Sequence, residues 1–71
     1  MRRVGAHEVI LPEQTLHQAV VEIQDDRVVN YFEFRDELPM TEWLGGTIQI
    51  FKNADGVLQA YHENQLLTAG D

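Results

Sequence analysis

Alternation of apolar and polar positions is strongest between Leu16 and Phe34, where two runs rich in Val, Ile, Tyr and Phe flank Gln24-Asp25-Asp26-Arg27. β-branched and aromatic residues fit a pleated, half-buried surface, and a short polar break between two such runs marks a β-hairpin. With a two-residue loop at Asp25-Asp26, Gln24 faces Arg27, Ile23 faces Val28, Val21 faces Asn30 and Ala19 faces Phe32. Ala19, Val21, Ile23, Val28, Phe32 and Phe34 then share one face, the candidate core. Gln18, Val20, Glu22, Val29, Tyr31 and Glu33 occupy the other.

Upstream, the run Arg3 to Leu11 ends in Pro12-Glu13-Gln14-Thr15, a turn sequence because proline presets the backbone at an early turn position. Setting Leu11 opposite Leu16 puts Val4, Ala6 and Ile10 on the face of Ala19, Val21 and Ile23, so two separately placed turns yield one apolar surface. Downstream, Asn53-Ala54-Asp55-Gly56 has the chemistry of a type I turn closed by a glycine bulge. It joins Thr47–Lys52 to Val57–His62, with Ile48, Ile50, Leu58 and Ala60 on one face and Phe51 and Tyr61 on the other.

Between these halves, Arg35 to Gly46 contains Pro39, the triplet Thr41-Glu42-Trp43 and the pair Gly45-Gly46, leaving room for no more than about one helical turn. The segment reads as a short loop crossing the sheet, with Trp43 and Leu44 sealing an open end of the core. Gln65 to Thr68 adds a short strand at the end. The pattern therefore predicts a single all-β domain over residues 1–71. It is built from hairpins as a small antiparallel barrel or a two-layer sandwich of about five or six strands.

Composition narrows this picture. A chain of 71 residues sits near the lower size limit for a self-supporting core. It has no cysteine, which excludes disulfides, thiolate metal ligands and thiol catalysis. The hydrophobic fraction of 44% suits a folded chain in spite of a net charge of −7. Five basic residues against twelve acidic ones oppose binding to nucleic acid or anionic lipid, which are recognised chiefly through clustered Lys and Arg. Arg2 and Arg3 follow Met1, but the next residues include Gly5, His7 and Glu8 rather than an apolar run, so no signal peptide is read there. No stretch approaches the roughly 18 apolar residues of a membrane span, and a cytoplasmic location is expected.

Histidines and carboxylates are the natural place to look for a metal site. In the register above, His7 shares a face with Val9 and Val20 while His17 shares one with Ile10 and Phe34, so the two point apart. His62 and Glu63 are chain neighbours and face opposite sides of a strand. The pairs Asp25-Asp26 and Asp36-Glu37 fall at strand ends, where turns select acidic residues. There is no serine, and Thr15, Thr41, Thr47 and Thr68 stand in no catalytic motif. Gly45-Gly46 lacks the spaced glycines and lysine of a phosphate loop. Phe32, Phe34, Phe51 and Tyr61 lack the basic groove that single-stranded nucleic acid requires. No catalytic residue, cofactor or metal ligand is assigned on these grounds. Association remains: open strand edges and the second face with Val20, Val29 and Tyr31 point to a homodimer or a protein partner.

The stretch Val20-Val21-Glu22-Ile23-Gln24-Asp25-Asp26-Arg27-Val28-Val29, preceded by Ala6-His7-Glu8-Val9-Ile10-Leu11-Pro12, resembles the opening strands of a known domain. This is the small β domain that flanks the barrel of amidohydrolase-type metal-dependent hydrolases. The same stretch is similar to short stand-alone bacterial proteins built from that piece, and the likeness covers about the first half of the chain. In that family a separate barrel holds the metals, on a first strand with a His-x-His motif that is absent here. The resemblance thus implies a fold and no catalytic residue. Three functions stand side by side. The first is a non-enzymatic binding or structural module that self-associates; the second, a small metal-binding or enzymatic domain using His7, His17 or His62; the third, a β domain that completes a larger hydrolase in trans.

Overall fold

Turn chemistry sets where the strands end and which way their side chains face. A computed structural model describes residues 1–35 and 41–70, so the pair Asp36-Glu37 and Pro39 lie outside the described residues. The strands are β1 (Arg2–Ile10), β2 (Thr15–Gln24), β3 (Arg27–Glu33), β4 (Glu42–Trp43), β5 (Thr47–Lys52), β6 (Leu58–His62) and β7 (Gln65–Leu66). The fold is all-β, and the strands form a single seven-stranded sheet in the order β3-β2-β1-β5-β6-β7, with β4 also paired to β1.

The β5–β6 hairpin follows directly from its sequence. Asn53 Oδ1 accepts hydrogen bonds from the Asp55 and Val57 backbone N–H groups, both at 2.9 Å. Gly56 adopts φ 81°, a left-handed conformation that costs a side-chain-bearing residue strain. The resulting register pairs Ile50 with Ala60 and Lys52 with Leu58. Ile48, Ile50, Leu58 and Ala60 therefore pack inward, as the pattern indicates. Phe51 and Tyr61 meet outside at a ring separation of 5.8 Å.

In the β2–β3 hairpin the two-residue turn is where the pattern puts it, with Gln24 opposite Arg27 and Ile23 opposite Val28. Asp25 takes φ 58°. Beyond Val28 the register shifts: Val29 is an extra residue, and the pairs become Glu22–Asn30, Val21–Tyr31, Val20–Phe32 and Ala19–Glu33. One inserted residue turns over every side chain beyond it. Tyr31 consequently packs against the core, while Phe32 and Phe34, expected inside, pass to the outer face. The adjacent Val28 and Val29 are equally apolar, so alternation alone leaves this choice open.

The β1–β2 hairpin pairs Ile10 with Thr15, two residues off the Leu11–Leu16 pairing, with Leu11 N–H bonded to the Gln14 carbonyl at 2.7 Å. A two-residue shift preserves faces, and Val4 and Ala6 remain inside with Ala19, Val21 and Ile23. At Gln18, which takes φ 53°, both strands roll over. Inward positions continue at Val9 and Leu11, so Val9 rather than Ile10 is buried.

The segment read as a crossing loop instead runs beside β1. β4 pairs in parallel with Val4 and Gly5, and β5 pairs in parallel with Glu8 to Ile10. Leu44, Gly45 and Gly46 span the stretch that Ala6 and His7 span in β1, one residue more. The left-handed Gly45 (φ 72°) and Gly46 (φ 60°) absorb that bulge. The ladder continues through Leu44 N–H to Gly5 O at 2.8 Å and Glu8 N–H to Gly46 O at 3.1 Å. The sheet is therefore mixed, not purely antiparallel.

After β6, Glu63 (φ 52°) and Asn64 (φ 67°) make a tight turn into β7. This confirms a short final strand at Gln65–Leu66. Leu67 then drops into the core, and Ala69 N–H reaches the Asp25 carbonyl at 2.8 Å. The sheet curls round its apolar residues until β3 lies against β6, yet it does not close into a barrel. Within the curl, Val4, Ala6, Val9, Ala19, Val21, Ile23 and Ile48 are fully buried. No described helix is long and apolar enough to cross a membrane.

Chemical denaturation should rank the core above the turns. Ile48→Ala is expected to lose about 2–5 kcal/mol, a large part of a small domain's stability. Gly56→Ala should lose only about 1–2 kcal/mol, the left-handed penalty alone.

Candidate functional site

On the outer side of β1, β2 and β3 a second, smaller apolar assembly forms around a glycine. Gly5 pairs across the sheet with Val20, and Val20 pairs with Phe32 on the next strand. Val20 is fully buried although it does not belong to the interior cluster. Trp43, brought alongside by the parallel β4 pairing, lays its indole on Gly5. A Cβ at Gly5 would stand 2.9 Å from Cε3 and 3.1 Å from Cζ3 of that ring, so the seat exists only because the side chain is absent.

Two further rings abut the indole edge-on. The His7 ring lies at 5.0 Å and 89°, and the Phe34 ring at 6.0 Å and 87°, the T-shaped geometry that aromatic quadrupoles favour. The Val29 bulge is what delivers Phe32 and Phe34 to this face. Trp43 nevertheless remains 48% exposed. It does not seal the end of the interior as expected; Leu44, the next residue, is the one that packs against the core.

Charged pairs brace the strands that carry this surface. Arg2 holds Glu42 in a bidentate pair, Nε to Oε2 at 2.8 Å and Nη2 to Oε1 at 3.0 Å. Its third nitrogen, Nη1, donates to the Thr68 carbonyl at 3.0 Å, so one guanidinium ties β4 and the tail to β1. Hydrogen bonding to Arg2 holds the Glu42 carboxyl below the usual glutamate range, and the same bond raises Arg2; partial burial opposes both. Arg3 donates to Glu22 at 2.9 Å, and Asn30 donates to the other oxygen of Glu22 at 3.2 Å.

The three histidines are used separately. His7 packs in the aromatic group, while His17 is exposed with Nδ1 3.9 Å from Glu8 Oε2. The His17 backbone N–H donates to Glu33 Oε2 at 2.9 Å. His62 lies half-buried along a shallow groove with Thr47, Gln49 and Tyr61. Among the described residues no group of three or more His, Asp or Glu side chains could hold a metal. Asp25 and Asp26 form the β2–β3 turn, and it is the Asp25 backbone carbonyl that is engaged, by Ala69.

At the open end of the curl, Leu11, Pro12, Tyr31, Lys52 and Leu58 line a hollow of about 130 Å³. Ligand pockets usually hold about 300–1,000 Å³; this hollow is smaller, and the wider depressions beside His62, beside Ile50 and beside Arg2, about 300, 320 and 490 Å³, are open grooves with no cluster of three His, Asp or Glu side chains among the described residues. The Trp43 surface is therefore the best-defined candidate site. One signal for it was present in the sequence: an isolated glycine inside a strand, Gly5, marks close approach by another group. No protein-family model, curated protein or solved structure matches the chain.

Trp43 is the sole tryptophan, so its emission reports this site. Gly5→Ala should displace the ring, shifting its emission to the red and raising acrylamide quenching with little change in far-UV circular dichroism. Glu42, with its carboxyl held low in the folded state, contributes stability above the ordinary glutamate value of about 4.3, and that stability is lost as pH falls through the lower folded value. Because the pair is exposed, Glu42→Gln should cost about 0.2–1 kcal/mol in urea at pH 7. The difference from wild type should vanish in strong acid, once Glu42 itself is protonated.

Proposed function

We propose that this chain is a non-enzymatic binding module that docks a protein partner through the outer face centred on Trp43. The observation that carries this reading is a tryptophan about half exposed, 48%, and yet held in place on a glycine seat by two perpendicular rings. Tryptophan anchors dominate binding energy at interfaces because they bury a large apolar area with few rotatable bonds. A ring already held in place avoids much of the ordering cost of association.

The other exposed aromatic, Phe51, supports the reading less well. It is 53% exposed, but it forms a cross-strand pair with Tyr61 of the kind that stabilises hairpins, with no cleared seat beneath it. Enzymatic use of His7, His17 or His62 draws no support from a geometry that places them apart and, among the described residues, gathers no cluster of three His, Asp or Glu side chains.

Affinity capture from cells that express the protein, comparing wild type with Trp43→Ser, checks the role. A partner should be retained by wild type and lost from a variant with unchanged circular dichroism, and acrylamide quenching of Trp43 should fall in the purified complex. A partner held equally by both forms, or a Trp43 still open to quencher when bound, rejects this face as the docking surface.

A further inference from the structure

Consecutive residues of the tail each fasten a different part of the sheet. Leu67 N–H donates to the Ala60 carbonyl on β6 at 2.8 Å, the Thr68 carbonyl accepts from Arg2 Nη1 on β1 at 3.0 Å, and Ala69 N–H donates to the Asp25 carbonyl in the β2–β3 turn at 2.8 Å. The tail thus crosses from one side of the curl to the other. Leu67 is buried in the interior cluster, and Ala69 packs against it.

The two sides that the tail joins are otherwise loosely held. β3 and β6 meet there with no ladder between them. Among the described residues, the other hydrogen bond across this line runs from Gln59 Nε2 to the Asp26 carbonyl and is long, 3.4 Å. β1, by contrast, is paired along both edges and contributes Val4, Ala6 and Val9, all fully buried. Local opening costs what the broken contacts were worth, so a segment held by single bonds and one large buried side chain opens while the rest of the domain stays folded.

We infer that Leu67, Thr68 and Ala69 form a latch that leaves the curl as one unit while β1 stays paired, and that its departure parts β3 from β6. Release removes the Ala69 bond across the seam and withdraws Leu67 from beside Ala60, so the inner side of β6 meets solvent in the open form.

Thiol labelling tests the latch, because the chain has no cysteine and a single introduced one reports on one place. Ala60→Cys and Ala6→Cys are matched probes, each adding a sulfur to a buried alanine, the first on β6 beside the latch and the second on β1. Under native conditions, and corrected for the global stability of each variant in urea, the Ala60→Cys protein should react with a small thiol reagent at least about tenfold faster than the Ala6→Cys protein. Ala69→Pro removes the N–H that reaches Asp25; added to Ala60→Cys, it should speed labelling by a further factor of about ten, while added to Ala6→Cys it should change labelling only as far as global stability falls. In the unaltered protein, the Leu67 and Ala69 amide hydrogens should exchange with one common protection, below that of the β1 ladder.

Labelling that tracks global unfolding in both cysteine variants overturns the latch, and so does equal acceleration of both by Ala69→Pro, since the tail would then belong to the same cooperative unit as β1. Should a variant fail to fold, amide exchange of the unaltered chain decides. Leu67 and Ala69 protected as strongly as β1 overturn the inference. Unequal protection of the two overturns it as well, because the tail would then fray residue by residue and not leave as a unit.

Discussion

The pairing of both edges of β1 is the constraint from which the rest of the molecule follows. One edge is zipped to β2 by a local hairpin, and the other is zipped to β4 and β5, which lie some forty residues further along the chain. Local pairing of this kind is inexpensive, because the turn holds the strands together. The parallel pairing must first close a long loop, so it depends on what it encloses once formed. Val9 against Ile48 supplies that: two β-branched residues side by side in the parallel ladder, both without solvent exposure. The two halves of the chain, each only a set of hairpins, become one curled sheet at that contact.

Much of this was legible in the sequence, and the legible parts share a cause. Where a turn is dictated by residues with special chemistry, as by Asn53 and Gly56, the pattern gives both the hairpin and its inner face, and at Asp25-Asp26 it gives the hairpin and its first two pairs. What escaped are events that alter strand parity without a punctuating residue. Gln18 enters the left-handed region and Val29 is an extra residue in an apolar pair, and neither interrupts the hydrophobic run. The fate of Trp43 was hidden for another reason: a glycine pair ahead of a strand reads equally as a bend or as a bulge in a continuing ladder, and only the parallel partner β1 decides.

The candidate site is a product of those same irregularities. A regular β2–β3 hairpin would leave Phe32 and Phe34 inside and Tyr31 outside; the bulge reverses all three. A regular β4–β5 segment would carry the indole out of step with Gly5. The surface most suited to recognition thus arises where local pattern and tertiary pairing disagree, which is where bulges are commonly found. Polar groups among the described residues brace the sheet, as Arg2 does by tying β4 and the tail to β1.

An open curl has a seam. β3 and β6 lie together without a ladder between them, joined near one end by Gln59 Nε2 to the Asp26 carbonyl at 3.4 Å and by the bridge from Ala69 to Asp25. Parting that line breaks few backbone hydrogen bonds, whereas parting β1 from β2 breaks an entire ladder. Amide hydrogens on the flanks of β3 and β6 are therefore expected to exchange with solvent through local openings, and those of β1, paired on both edges, only on wider unfolding. The line of fewest backbone bonds thus lies across the curl from the strand that is paired on both edges.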